Sequence, residues 1–254
     1  MVRRRKRNRL GIGVAVVVFA VALSAYVLTR EQRPARERPA PLPRQCPLGD
    51  TTSGIDVSYY QADIAWLRVA RSGIRFAFIR LADGADIFDS KFEANWAGAR
   101  RAKILRGAYQ FFRPAESPID QADLVIRTLR KHGLGELPPV IDIEVTDGVP
   151  LATVARNAKI WIEHVRSQLG VEPIVYTNPG MWRWGGAEPL ASQPLWLAHY
   201  TEACPALPPP WKKWTFWQYS DDGRIGGIEG PVDLDVFDGT IDELRRTYIA
   251  AHPE

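Results

Sequence analysis

Strand and helix patterns alternate through residues 54–177, and this alternation limits the possible folds more than any other feature of the chain. Five apolar segments have the length and the β-branched or aromatic content of strands; they lie at 54–58, 75–81, 104–112, 139–145 and 172–177. Helical patterns separate them. Alternation of this kind predicts right-handed crossovers and a parallel sheet.

Two of the predicted helices have clear ends. Ser117 and Pro118 form an N-cap followed by a proline in the first turn, and Gly133 ends that helix. The helix over 151–169 ends before Gly170. It places a stripe of apolar side chains on one face: Val154, Ala158, Trp161, Ile162 and Val165.

The alternation breaks after Asn178. Three short strand candidates follow at 194–200, 214–219 and 232–237, without a convincing long helix between them. Eight strands are enough to close a barrel in which the eighth lies beside the first. An open doubly wound sheet is the alternative, but no Gly-rich phosphate loop follows any strand. We therefore predict an irregular TIM-like α/β barrel with five β/α units and three further strands.

The N-terminus has the features of a membrane anchor. Residues 1–9 are strongly basic, and residues 10–28 form an uncharged apolar run. As a helix, this run has a length close to the thickness of the hydrocarbon core of a membrane. The sequence predicts a single transmembrane signal anchor in a bacterial cytoplasmic membrane, with the later residues on the extracytoplasmic side. Cleavage near residues 22–25, followed by secretion, is the alternative.

The basic charge of the chain belongs to this N-terminus. Residues 1–45 contain eleven Lys or Arg and two Glu, whereas the remainder contains 22 basic and 27 acidic residues, a net charge of −5. Nucleic-acid binding depends on basic residues in the folded region, so we expect no nucleic-acid partner.

A Pro-rich linker is predicted over 29–50, and one globular domain over 51–254. In an exported protein Cys46 and Cys204 would favour a single disulfide, although two separate thiols remain the alternative. Four histidines are scattered without metal-ligand spacing: His132, His164, His199 and His252. We expect no metal, no cofactor and a monomer.

Acidic residues gather at predicted strand ends. Asp142 and Glu144 lie two residues apart in one strand, so both carboxylates face the same side. Asp56 ends the first strand and Asp233 lies in the eighth. In a closed barrel these four acids could meet at one mouth, where each raises the pKa of the others. An edge strand with its acidic face in water is the alternative for Asp142 and Glu144.

Aromatic residues lie near the same strand ends. Flat rings beside carboxylates are typical of carbohydrate grooves, and Trp217 and Tyr219 alternate along one strand with Phe216 and Gln218. We predict a substrate-binding role for six side chains: Tyr109, Tyr176, Trp217, Tyr219, Arg80 and Tyr200. We interpret Phe76, Phe78, Trp161 and Phe216 as core. Acids and aromatics without a Ser/His/Asp pattern favour glycoside hydrolysis over ester or peptide hydrolysis.

Seven ordered motifs resemble glycoside hydrolase family 25, the Chalaropsis-type lysozymes or N-acetylmuramidases. The motifs are Gly54-Ile55-Asp56-Val57-Ser58 with Gln61, Gly107-Ala108-Tyr109 with Phe111-Phe112, Asp142-Ile143-Glu144, Val175-Tyr176-Thr177-Asn178, Leu195-Trp196-Leu197-Ala198-His199-Tyr200, Trp217-Gln218-Tyr219-Ser220 and Val232-Asp233-Leu234. The resemblance covers about residues 52–245. It implies the barrel already predicted and a muramidase-like catalytic domain at 51–254.

The resemblance also implies an activity: hydrolysis of the β-1,4 bond between N-acetylmuramic acid and N-acetylglucosamine in peptidoglycan. Glu144 is then the expected general acid, and Asp142 would orient the 2-acetamido group of the substrate or position the attacking water. Asp56 and Asp233 match further active-site acids of the family. Tyr109, Tyr176 and Trp217 match its sugar-contacting positions.

Two residues depart from the family pattern. Gln110 stands where a His is expected after Gly-Ala-Tyr, and Arg80 stands where a Lys is common. Both raise questions about pocket specificity, but neither removes a predicted catalytic acid. Two other functions remain open: a peptidoglycan-binding module with weak turnover, and a barrel glycosidase for another polysaccharide such as chitin.

Overall fold

The computed structural model describes residues 41–249, in which nine strands form one sheet. The strands are β1 Thr51–Val57, β2 Phe76–Asp83, β3 Ile87–Phe88, β4 Leu105–Phe111, β5 Val140–Asp142, β6 Ile174–Thr177, β7 Leu195–Ala198, β8 Phe216–Gly223 and β9 Val232–Asp238. Eight of them follow one another around a ring in the order β1-β9-β8-β7-β6-β5-β4-β2, and pairing of β1 with β2 closes it. The predicted eight-stranded barrel is confirmed, including the last strand beside the first.

Strand direction defines one functional end of the barrel. All neighbouring strands from β1 through β2 and β4 to β8 are parallel, whereas β9 runs antiparallel to both β8 and β1. The carboxyl ends of the parallel strands therefore meet the amino end of β9 at the same end, which we call the mouth. The short β3 pairs with the last residues of β2 and adds a hairpin there.

Helices surround the barrel: α1 Trp66–Arg71, α2 Phe92–Arg101, α3 Pro118–His132, α4 Leu151–Leu169 and α5 Ile241–Tyr248. Helix α4 has the predicted ends, and its whole predicted apolar stripe is buried. Helix α5 was not predicted. It begins with a capping box in which the Thr240 side chain accepts from the backbone of Glu243, and Glu243 accepts from the backbone of Thr240.

Aromatic side chains fill the barrel interior. Phe78 stacks on Trp196 with ring centroids 4.3 Å apart, and Phe216 meets Phe78 edge-on at 5.1 Å. A Cβ atom at Gly54 would lie 2.2 Å from the ring of Phe76, and one at Gly107 would lie 2.6 Å from Phe78. Only glycine leaves room for these rings at the two positions, and the packed rings form the floor beneath the mouth.

The end of the predicted linker contacts the barrel. Arg44 and Ala206 form an antiparallel bridge, and the Gln45 amide donates to Pro205 O at 3.1 Å. Cys46 and Cys204 form the predicted disulfide, with Cα atoms 4.6 Å apart. The predicted anchor at 10–28 lies outside the described residues, and none of the helices within 41–249 is long and apolar enough to cross a bilayer.

Candidate active site

A pocket of about 220 Å³ opens at the mouth and contains all four predicted acids: Asp56, Asp142, Glu144 and Asp233. Its other lining residues are Ser58, Tyr60, Gln61, Arg80, Tyr109, Phe111, Tyr176, Trp196, Tyr200 and Gln218. A larger cavity of about 870 Å³ lies near the amino ends of β7 and β8, but it contains none of the four acids. We assign the chemistry to the smaller pocket because charge, aromatic rings and polar side chains converge there.

Asp142 and Glu144 differ in exposure. Asp142 is the buried last residue of β5, and Glu144 lies two residues further along at the exposed rim. Burial raises the pKa of the Asp142 carboxyl well above its usual range, and the charge of Glu144 adds to this, whereas Arg80 opposes it. Partial burial also raises the pKa of Glu144, and a hydrogen bond with Tyr176 opposes that shift. Of the two carboxyls with raised pKa values, Glu144 is the one that a bound substrate can reach from the rim.

Asp56 and Asp233 are opposite each other in the antiparallel pair β1 and β9. Burial raises the pKa of Asp56 well above its usual range, with further increases from Asp235 and Asp233. Burial also raises the pKa of Asp233, to about 6, against the opposing effect of a hydrogen bond with Asp56. A hydrogen bond between two carboxyl groups requires a proton on one of them, so the pair holds a proton near neutral pH.

Gln218, which was not among the predicted site residues, connects the acids to the tyrosines. Its Oε1 accepts from Tyr176 at 2.8 Å and from Tyr200 at 2.9 Å, and its Nε2 donates to Asp56 Oδ2 at 2.6 Å. The available signal was the alternation along β8, because Gln218 shares the inward face with the predicted core residue Phe216.

Arg80 is held at the edge of the pocket by Asp89. Like Gln218, Asp89 was not among the predicted site residues. Arg80 Nε donates to Asp89 Oδ2 at 2.9 Å, and the Asp89 side chain is only 1% exposed. Asp89 also accepts from the backbone amides of Tyr59 and Lys91. This fixed guanidinium faces Asp142 and lowers its pKa against the effect of burial.

Tyr109, Tyr176 and Tyr200 all line the pocket. The Tyr176 ring meets Trp196 edge-on at 4.5 Å, and Tyr109 meets the same indole at 6.1 Å. Trp196 therefore supports two tyrosines at the base of the pocket.

Trp217 and Tyr219 do not line this pocket, and their predicted substrate-binding role stays a prediction. Side chains alternate along β8, and Gln218 takes the inward face while its two neighbours face outward. Trp217 packs against Trp214 at 5.9 Å and donates its indole N–H to His199 O at 2.9 Å. Tyr219 lies beside the Trp217 ring at 5.8 Å.

Gln110, one of the two departures from the family pattern, is fully buried away from the pocket. Its Nε2 donates to Gly84 O at 2.9 Å, and its Oε1 accepts from Trp161 Nε1 at 2.7 Å. Its contacts join the barrel wall to helix α4, so this substitution leaves the lining of the pocket unchanged.

Asp235 lies beneath the pocket and is only 1% exposed. Its Oδ1 accepts from Trp196 Nε1 at 2.8 Å, and its carboxyl also shares a hydrogen bond with that of Asp56. Burial raises the pKa of Asp235 well above its usual range. Because the folded-state pKa exceeds the unfolded one, this residue makes the protein lose stability as the pH rises through the folded value.

Asp235→Asn is expected to raise the free energy of unfolding by about 1 kcal/mol at pH 8, because the amide keeps an acceptor for Trp196 without a buried charge. The gain should shrink toward pH 5, as the carboxyl of the parent protein becomes protonated. Urea unfolding at both pH values measures it. The matched control is Asp222→Asn, at a largely exposed carboxylate, which should show no such pH-dependent difference. Equal destabilisation by Asp235→Asn at both pH values would contradict the assignment.

The part of the chain that forms most of this pocket matches a known protein family. The family model described as glycosyl hydrolases family 25 matches residues 55–228. The matched region includes Asp56, Asp142 and Glu144, and it ends before Asp233.

Similar proteins include lysozymes and muramidases. Lysozyme M1 of Streptomyces globisporus is 35% identical over 209 residues, which cover 75% of this chain and 69% of that protein. The N,O-diacetylmuramidase of a Chalaropsis species is 29% identical over 216 residues, covering 77% of this chain and 98% of that protein. The crystal structure of the bacterial lysozyme from Streptomyces coelicolor aligns with a TM-score of 0.72 and 31% identity, over 79% of this chain and 98% of that one.

Proposed function

The chain belongs to glycosyl hydrolase family 25, and we propose that it cleaves the β-1,4 bond between N-acetylmuramic acid and N-acetylglucosamine in peptidoglycan. At the level of enzyme class it is a hydrolase of the lysozyme, or muramidase, type. One observation supports the finer proposal most directly. A rim carboxyl with a raised pKa, Glu144, lies beside a buried carboxyl, Asp142, in a pocket lined by tyrosines.

Glu144 is the proposed general acid. Its raised pKa keeps a larger fraction protonated near neutral pH, and its rim position gives it access to a glycosidic oxygen at the mouth. Transfer of its proton to that oxygen lets the C1–O bond break without releasing an unprotonated alkoxide. The resulting carboxylate then accepts a proton from the water that adds to C1.

Asp142 is the proposed partner of the substrate's own 2-acetamido group. In this step the acetamido oxygen attacks C1 as the leaving group departs, and Asp142 accepts a hydrogen bond from the acetamido N–H. The step needs Asp142 in its ionised form, which the nearby charge of Arg80 favours against the effect of burial on its pKa. Water then adds to C1 and the acetamido group reforms. The buried Asp142 Oδ1, which lacks a hydrogen-bond partner within the described residues, supports this role because it can accept such a donor.

The remaining polar groups would position the sugar. The side-chain amide of Gln218 hydrogen-bonds to Asp56, Tyr176 and Tyr200, so the orientations of these three side chains are fixed before substrate binds. Fixed donors and acceptors lower the reorganisation needed during reaction. We propose that this network, with Asp233, holds the hydroxyl groups of the ring whose C1 is attacked.

Product analysis tests the proposed bond. The full chain incubated with purified peptidoglycan should release muropeptides whose new reducing ends are N-acetylmuramic acid, as read by reduction and mass spectrometry. Chitin oligomers of equal length are the matched control and should be cleaved at least tenfold more slowly, a difference of about 1.4 kcal/mol in transition-state binding. Cleavage of chitin at an equal rate would favour another polysaccharide, and sugar binding without product would favour a binding module.

A further inference from the structure

Exposed apolar side chains concentrate at the mouth. Nine large apolar side chains are exposed in the described part of the chain, and six lie in segments that directly follow the carboxyl ends of strands at the mouth. The six are Tyr59, Tyr60, Ile87, Phe88, Trp184 and Tyr200. Exposed aromatic side chains in contiguous groups mark binding surfaces on soluble domains. Only Tyr60 and Tyr200 belong to the acid-lined pocket, so the exposed aromatic surface extends beyond it.

Strand order puts two of these aromatics on opposite sides of the pocket. Tyr60 follows β1 and Trp184 follows β6. In the closed ring of eight strands, β6 is four positions from β1 in either direction, which is the diametrically opposite strand. The acids of β1, β5 and β9 therefore lie between the two side chains.

Hydrogen bonds fix the backbone at Tyr60, although its side chain is in solvent. The residue is 71% exposed, and its ring lies 4.2 Å from that of Tyr59. The Ser58 hydroxyl accepts from the Tyr60 amide at 3.3 Å, and the Ser58 amide donates to Gln61 Oε1 at 2.9 Å. The two bonds form a capping box that fixes the backbone of this short helical turn, which reduces the backbone entropy lost when a ligand packs on it.

Arg80 supports this tyrosine pair from below. Its guanidinium carbon lies 4.6 Å from the centroid of Tyr59 and 5.4 Å from that of Tyr60. Because Asp89 fixes Arg80, the two rings have a supported face and an open face. A flat, supported ring at the edge of an acid-lined pocket is suited to a pyranose face.

Trp184 is presented by an anchored turn on the other side. It is 69% exposed, although the neighbouring Trp182 is buried and donates to Thr177 Oγ1 at 3.0 Å at the end of β6. The Gly185 amide donates to Trp182 O at 2.9 Å and closes the turn, with Gly185 at a φ of +86°. The buried Trp182 therefore fixes the turn that exposes Trp184.

We propose that Tyr60 and Trp184 each bind a sugar ring beyond the two rings that flank the cleaved bond, on opposite sides of the pocket. The glycan strand then crosses the mouth along the line from β1 to β6. This inference rests on the proposed function for the identity of the glycan. It adds that the length of the glycan determines how tightly the protein binds it.

The test compares binding of two glycan lengths. Peptide-free glycan strands of two and eight sugars are titrated into the full chain carrying Glu144→Gln, in which cleavage is expected to be about 10³-fold slower. This parent should bind the octasaccharide more tightly. Tyr60→Ala and Trp184→Ala should each weaken octasaccharide binding about fivefold to tenfold, and the double variant should bind both lengths within about twofold.

Leu48→Ala is the matched control, because Leu48 is 86% exposed and borders the cavity away from the mouth. It should keep the preference for the octasaccharide. A double variant that also keeps this preference overturns the proposal, as does a parent that binds both lengths equally. Release of reducing ends by the unmodified chain is measured separately, so failure of the proposed function is distinguished from failure of the two binding positions.

Discussion

Glu144→Gln is expected to lower the turnover of peptidoglycan about 10³-fold, the typical cost of removing a general acid. Glutamine preserves the size of the side chain and one carbonyl oxygen, but its amide has no acidic proton to give to the leaving oxygen. Reducing ends released at saturating substrate measure the loss. Because the parent requires a protonated Glu144, its rate should fall as the pH rises through the raised pKa of this group. The residual activity of the variant should lack that alkaline fall.

Glu163→Gln is the control for this variant. Glu163 is an exposed residue of helix α4, and its only described ion pair is a distant i,i+4 contact with Lys159 at 3.8 Å. Turnover should therefore be unchanged, since such pairs contribute little. An unchanged rate in Glu144→Gln itself would refute the assignment of the general acid.

Asp142→Asn is expected to lower turnover about 10²-fold, because the amide cannot stabilise the positive charge that develops on the acetamido group. A second effect separates this role from simple misfolding. The charge of Glu144 raises the pKa of Asp142, and because this repulsion is mutual, an ionised Asp142 also disfavours ionisation of Glu144. In Asp142→Asn the pKa of Glu144 should therefore fall. The alkaline limb of the pH profile should therefore shift to lower pH in the residual activity.

The control for Asp142→Asn is Asp242→Asn, in the exposed first turn of helix α5. It should leave both turnover and the alkaline limb in place. If Asp142→Asn lowers turnover without moving the limb, the two carboxyl groups are not electrostatically coupled as the structure indicates.

The fold was largely predictable where local signals agreed. Helix α4 begins after Pro150 and ends before Gly170, and its apolar stripe was evident from spacing alone. Strand β5 is shorter than predicted and ends at Asp142. The loop that follows it still hydrogen-bonds to β6 through the Ile143 amide and Tyr176 O, so the apolar pattern continued beyond the strand itself.

The sequence predicted which strand ends carry the site residues, but it did not predict which face of each strand points into the barrel. Alternation along a strand correctly grouped Asp142 with Glu144, but it does not tell which of two faces points into a closed barrel. For β8 that choice is made by pairing with β7 and β9, and it selects Gln218 in place of Trp217. Asp89 was missed for a related reason, since its partner Arg80 is brought close by the hairpin of β2 and β3.

The packed aromatic floor has a consequence for how a polymer meets this enzyme. The barrel axis below the pocket is filled by aromatic rings such as those of Phe78, Trp196 and Phe216. The end of a glycan therefore cannot pass through the barrel. If a glycan crosses the mouth from β1 to β6 as proposed, both of its ends stay outside the barrel and can remain attached elsewhere. Binding of that kind would suit the cleavage of internal bonds in a cross-linked network.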